Sequence, residues 1–100
     1  LEDARILEDQ GCFSLVLEMV PAELARMITK NLTVPTIGIG AGPHTSGQIL
    51  VFQDLLGLNA EFKPKFLRTY LNGYELIQTA LNDYTRDVKA QAFPSAAESF

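Results

Sequence analysis

A chain of 100 residues with 47% hydrophobic and 20% charged side chains has the balance of an ordinary globular fold, and no apolar run in it is long enough to cross a membrane. Its net charge of -4 and isoelectric point near 4.8, with acids and bases interspersed, argue against a nucleic-acid surface. Cys12 has no second cysteine to pair with, and His44 stands alone in a polar loop, so neither a disulfide nor a histidine-based metal site is expected.

The chain opens on Leu1-Glu2-Asp3 without an initiator methionine or a targeting segment, as an internal or C-terminal piece of a longer protein does. Ala4, Ile6 and Leu7 give a first helix an apolar side, and Gly11 supplies its left-handed terminus. Cys12, beside the strand that follows, reads as a small buried apolar residue and suits a reducing compartment. Phe13 to Leu17 is apolar at nearly every position, the pattern of a parallel strand covered on both faces. From about Pro21 to Asn31 a second helix is expected, with Leu24, Met27, Ile28 and Leu32 on one stripe.

Thr36 to Gly40 reads as a second strand, released into a glycine-rich loop, and Ile49 to Phe52 as a third. From Pro64 the pattern turns helical. A short helix should precede Gly73, and Tyr74, Ile77, Leu81, Tyr84 and Val88 mark one face of a long helix that Pro94 stops. That face is expected to pack into the core. Strand, helix, strand, loop, strand is the order of parallel α/β folds. A closed (β/α)8 barrel takes roughly 250 residues, so the chain forms either a small open sheet or a fraction of a barrel.

Glu18 is the chemical candidate. It ends the first strand, and in parallel α/β architectures the carboxyl ends of strands face the site; a solvated helix-entry acid is the alternative. Gly38-Ile39-Gly40-Ala41-Gly42 is no dinucleotide fingerprint, because Pro43 stands where the third glycine belongs. Nor is it a P-loop, because no lysine lies between Lys30 and Lys63. Glycines there either let a ligand approach the backbone or form a tight turn. No nucleophile with an adjacent base and relay acid is visible.

The strings Leu15-Val16-Leu17-Glu18-Met19-Val20-Pro21, Pro35-Thr36-Ile37-Gly38-Ile39-Gly40-Ala41-Gly42 and Ser46-Gly47-Gln48-Ile49-Leu50-Val51 with Asp54 resemble the C-terminal part of the ketopantoate hydroxymethyltransferase family. The likeness continues through Lys63-Pro64-Lys65-Phe66 to Phe93-Pro94 and Glu98-Ser99-Phe100, essentially the whole chain. It implies an α/β fold that is the C-terminal part, about three β/α units, of a TIM barrel of the phosphoenolpyruvate/pyruvate type, here a fragment of one barrel domain ending in a long helix. The reaction implied is transfer of a hydroxymethyl group from 5,10-methylenetetrahydrofolate to 3-methyl-2-oxobutanoate, giving 2-dehydropantoate for pantothenate and coenzyme A synthesis.

The resemblance also implies a bound Mg²⁺ that chelates the keto acid, with ligands in earlier strands that have no counterpart here, so the chain alone should be inactive. It makes Glu18 the base that removes the proton beside the carbonyl. Ile39 and Val51 would face the branched carbons of the substrate and, by desolvation, raise the proton affinity of a nearby carboxylate. Gly40 and Gly42 would give the folate side of the cleft room, or form a plain turn. Met19 stands where many relatives place a cysteine, an exchange expected to matter little. A small-molecule substrate, a homo-oligomer or the remainder of the barrel as partner, and a cytoplasmic or mitochondrial setting complete the expectation, with no membrane or nucleic-acid partner. The competing readings are a non-catalytic assembly module that uses the Tyr74-to-Val88 face, and another carboligase or lyase of the same superfamily.

Overall fold

The computed structural model describes residues 1–100, which divide into two compact units, Leu1–Val51 with Pro64–Leu67, and Phe52–Lys63 with Arg68–Phe100. The first holds helix α1 (Glu2–Asp9), strand β1 (Leu15–Glu18), helix α2 (Ala22–Asn31) and strands β2 (Thr36–Ile39) and β3 (Gly47–Gln48). The second holds a single helical turn, α3 (Phe52–Leu55), the long helix α4 (Gly73–Lys89) and a short 3-10 turn at Ala96–Glu98. No helix is long and apolar enough to cross a membrane.

In the first unit the three strands are parallel in the order β1-β2-β3, with Leu15 beside Thr36 and Glu18 beside Ile39. Register partners share a face of the sheet. Leu15, Leu17, Thr36 and Gly38 are buried on one face, where Ala4, Ala25, Ile28, Leu32 and Ala41 complete the core. Val16 and Glu18 are exposed on the other face, and Ile37 and Ile39 are half-buried there. The apolar pattern of β1 suits a strand covered on both faces, and in this chain one side is packed while the apolar opposite side is open, as expected of a fraction of a barrel. The strand also starts later than expected, since Leu15 is the first residue whose N–H reaches β2's entry, at the Pro35 carbonyl.

Polar groups position this unit as firmly as the apolar ones. The Thr36 hydroxyl is fully buried and lies 2.7 Å from Thr29 Oγ1 on α2. Thr29 donates its own proton to the Ala25 carbonyl at 2.8 Å, so Thr36 is the donor between the two hydroxyls. Thr36 Oγ1 then accepts from the Ser46 N–H at 3.2 Å, while the Thr36 N–H donates to Ser46 Oγ at 3.1 Å. At the same end, Glu8 Oε1 accepts from the Thr33 N–H and hydroxyl at 2.6 and 2.7 Å and from the Val34 N–H at 3.0 Å, tying α1 to the turn before β2.

Several sequence expectations are corrected. Gly11 does end α1, with φ of +93° and the Cys12 N–H returning to the Leu7 carbonyl, but Ile6 and Leu7 are exposed and only Ala4 is buried. The third strand is not Ile49 to Phe52. Pairing ends with the Ile49 N–H on the Gly38 carbonyl, because β2 itself leaves the sheet at Gly40 and offers Leu50 and Val51 no partner. Phe52 instead opens the turn of α3, which Gly57 terminates with φ of +68° and the Leu58 N–H on the Gln53 carbonyl.

No helix forms between Pro64 and Asn72. The backbone donors there serve other ends: the Tyr70, Gly73 and Tyr74 N–H groups donate to the Leu55, Leu56 and Gly57 carbonyls. The carbonyls of Leu56 and Gly57, just after α3, thus satisfy the first two amides of α4, which have no partner within their own helix. Side chains must stay out of this crossing, and a Cβ at Gly73 would overlap the Leu56 carbonyl oxygen and sit 2.5 Å from Leu58 Cδ2. At its far end α4 stops before Pro94, with Gln91 at φ of +56° and the Ala92 N–H on the Asp87 carbonyl. Tyr74, Ile77, Leu81, Tyr84 and Val88 were expected in the core and are all exposed.

Two outcomes follow from these contacts. With one sheet face and the α4 face uncovered, the isolated 100-residue chain is expected to self-associate or to bind a hydrophobic dye as a partly molten state; a monodisperse, cooperatively unfolding monomer in light scattering and denaturation would contradict this. The hydrogen bond from the Thr33 hydroxyl, then those from the Val34 and Thr33 amides, hold the Glu8 carboxyl below its ordinary value of 4.5. The ionised form is the one favoured by folding. Its contribution is therefore complete above that value and lost as the pH falls through the lower folded value. Amide exchange protection of Thr33 and Val34 should drop in that acid range, and in Glu8→Gln the drop should disappear.

Candidate active site

The carboxyl ends of β1 and β2 lie side by side and carry the residues of interest. Glu18 is the last residue of β1, on the open face with Ile39 as its register partner. Glu18 is exposed. The helix-entry acid is a different residue: Glu23 occupies the first turn of α2, where Arg26 hydrogen-bonds it at 2.7 Å. That bond and the Arg26 charge, with smaller contributions from His44 and Lys30, hold the Glu23 carboxyl below its ordinary value. Glu18 thus stands at the end of β1, and the acid in the first turn of α2 is Glu23.

Beyond Ile39 the loop folds back on its own unit. Gly40 turns the chain with φ of +64°, and a Cβ there would stand 3.0 Å from Phe66 Cδ1, so the Phe66 ring lies against the bare backbone. Ala41 is buried in the core. Gly42, at φ of +76°, faces the start of α2, where an added Cβ would come to 2.5 Å from Ala22 Cβ. Internal packing accounts for both glycines. Gln48 holds the return of the loop, its Nε2 donating to the Gly42 carbonyl at 2.8 Å and to Thr45 Oγ1 at 2.9 Å.

Ile39 is half-buried next to Glu18, whereas Val51 lies in the irregular segment after β3 and is exposed. Sequence reasoning missed Phe66, Thr36, Thr29, Ser46 and Gln48. A hydroxyl at the start of an apolar strand, as in Pro35-Thr36-Ile37, was the signal available for Thr36, since such a group needs partners once buried. No three His, Cys, Asp or Glu side chains anywhere in the chain converge as a metal site.

The sequence model of ketopantoate hydroxymethyltransferase matches residues 1–96. The chain belongs to the ketopantoate hydroxymethyltransferase family. A protein of Methylobacterium sp. (strain 4-46) named 3-methyl-2-oxobutanoate hydroxymethyltransferase is 60% identical over 100 residues, all of this chain and 35% of that protein. Proteins of the same name from Coxiella burnetii (strain CbuG_Q212) and Francisella tularensis subsp. tularensis (strain FSC 198) are 56% identical over 94 residues and 54% over 95. These cover 94% and 95% of this chain, and 35% and 36% of the relatives. The chain thus spans about a third of the length of the curated relatives it matches.

Within this family member the tight approach of Gly42 to Ala22 sets where α2 begins after the strand that carries Glu18. Gly42→Ala combines a left-handed φ with an overlap against Ala22. It should cost about 2–5 kcal/mol in the whole protein, read as a lowered urea midpoint with an unchanged denaturant slope.

Proposed function

We propose that this chain is the part of a 3-methyl-2-oxobutanoate hydroxymethyltransferase that supplies its general base, Glu18. The observation that carries the reading is the placement of that carboxylate: exposed, at the carboxyl end of a parallel strand, beside Ile39 on the face that no helix of its unit covers. In a (β/α)8 barrel the helix-covered face of each strand is the outer one, and the other points inward. The side bearing Leu15, Leu17 and Thr36 is then the outer face, and Val16, Ile37 and Ile39 become inward layers beneath Glu18. Packing by the remaining strands of the barrel would bury them.

Glu18 takes the proton from the carbon next to the keto group of 3-methyl-2-oxobutanoate. The carbon so freed forms a bond to the one-carbon unit of 5,10-methylenetetrahydrofolate, whose two carbon–nitrogen bonds break. Water supplies the hydroxyl, and tetrahydrofolate leaves with the proton from the keto acid and the second proton of water on its nitrogens, giving 2-dehydropantoate. Ile39 and Val51 line the side of the cleft that receives the branched carbons, and drying of the site by those apolar groups favours proton uptake by a carboxylate. Mg²⁺ bound to the keto acid would draw its ligands from outside this chain, and a homo-oligomer suits the uncovered α4 face.

The test is exchange of the substrate's C3 proton with deuterated solvent in the whole enzyme. Glu18→Gln should lower the exchange rate by about 10²–10⁴-fold with keto acid still bound. Exchange at the unaltered rate would remove Glu18 as the base.

A further inference from the structure

β1 and β2 leave the sheet side by side through left-handed residues. Because Glu18 pairs with Ile39, the next residues, Met19 and Gly40, are neighbours where the strands end. Gly40 has φ of +64° and Met19 φ of +51°. Glycine adopts that region without steric cost, but a methionine does so against contact of its Cβ with the following carbonyl. Gln91 is the other non-glycine residue with positive φ, and the cap that ends α4 accounts for it. Met19 ends no helix. It follows the strand that carries the base.

Burial does not force the conformation, since Met19 is 70% exposed. What holds it is the end of the sheet: its N–H donates to the Ile39 carbonyl at 2.9 Å. Its Cγ would lie 3.5 Å from a Cβ built on Gly40, on which Phe66 also rests. Strain of this kind survives only where surrounding contacts over-determine it, and it collects at sites of function. A side chain also confines the left-handed well far more narrowly than glycine does. The reversal after β1 is therefore a stiff one, at the residue directly bonded to Glu18.

We propose that Met19 is a positioning residue: its side-chain-bearing left-handed turn fixes the direction in which the Glu18 carboxylate leaves the strand. The requirement lies on the backbone, so a different small or soft side chain serves there, but glycine does not. This rests on Glu18 being the base.

The test compares Met19→Gly, Met19→Asn and Glu18→Gln in the whole enzyme by steady-state exchange of the keto acid's C3 proton. Glycine accommodates the native φ, so Met19→Gly should fold with an unfolding midpoint no lower than wild type. Its kcat for exchange should nevertheless fall by about ten- to a hundredfold at unchanged KM, because the base is no longer held in line. Asparagine tolerates the left-handed region while still restricting it, and Met19→Asn should stay within about threefold of the wild-type kcat. Wild-type kcat in Met19→Gly, or an equal loss in Met19→Asn, would overturn the proposal even when Glu18→Gln abolishes exchange. Retained exchange in Glu18→Gln would overturn the reading of Glu18 as base and the positioning role with it.

Discussion

The buried hydroxyl of Thr36 is the constraint on which the first unit depends. A hydroxyl shut away from water without partners costs about 1–3 kcal/mol, and this one is satisfied only if α2 and the residues before β3 stand in one arrangement. Thr29 must present its oxygen from α2, and Ser46 must bring both its amide and its hydroxyl to β2. The reciprocal pair between Thr36 and Ser46 extends the parallel ladder by side chains where β3 is too short to do so with backbone alone. Apolar burial of Leu15, Leu17, Ile28 and Leu32 supplies the driving force but is non-directional. The hydroxyls choose the register.

Register in turn decides which face Glu18 occupies. Side chains alternate across a strand, so a slip of one residue would exchange the faces of Leu17 and Glu18, placing a carboxylate in the core and a leucine on the open face. With Leu15 beside Thr36, Glu18 falls opposite Ile39 at the last paired position, and the two chains turn away together through Met19 and Gly40. The loop beyond is held by Gln48 and closed against Ala22 and Phe66, so the strand ends are framed by contacts within their own unit. The second unit uses the backbone for the same purpose. Amides at the start of α4 take the carbonyls of Leu56 and Gly57 just after α3, and Gly57 and Gly73 leave room for the crossing.

Much of this was legible from local pattern. Gly11 as a left-handed terminus, α2 with Ile28 and Leu32 of its expected stripe buried, Leu24 half-buried and Met27 exposed, and the position of Glu18 at a strand end follow from periodicity and steric rules that operate within a few residues. Where the pattern was ambiguous the structure decided otherwise. Ile49 to Phe52 has the composition of a strand, but a strand exists only with a partner, and β2 had already turned away at Gly40. The stretch from Pro64 to Asn72 has helical spacing, but the Tyr70 amide is drawn to the end of α3. Tyr74 to Val88 has the face of a core helix, yet it lies exposed because periodicity reports that a face is apolar and not what covers it.

The sequence by itself determined the family, through ordered strings that surround Glu18 and Gly38-Ile39-Gly40, and it determined that a carboxylate stands at the end of the first strand. Only the tertiary structure decided which face of β1 that residue occupies, that Phe66 and Ala22 rather than open space meet Gly40 and Gly42, and that Met19 holds a left-handed turn beside the carboxylate. The physical reason is separation along the chain. Caps, stripes and strand ends are written in neighbouring residues, whereas the sheet register, the glycine contacts and the strain at Met19 arise between segments that meet only after folding.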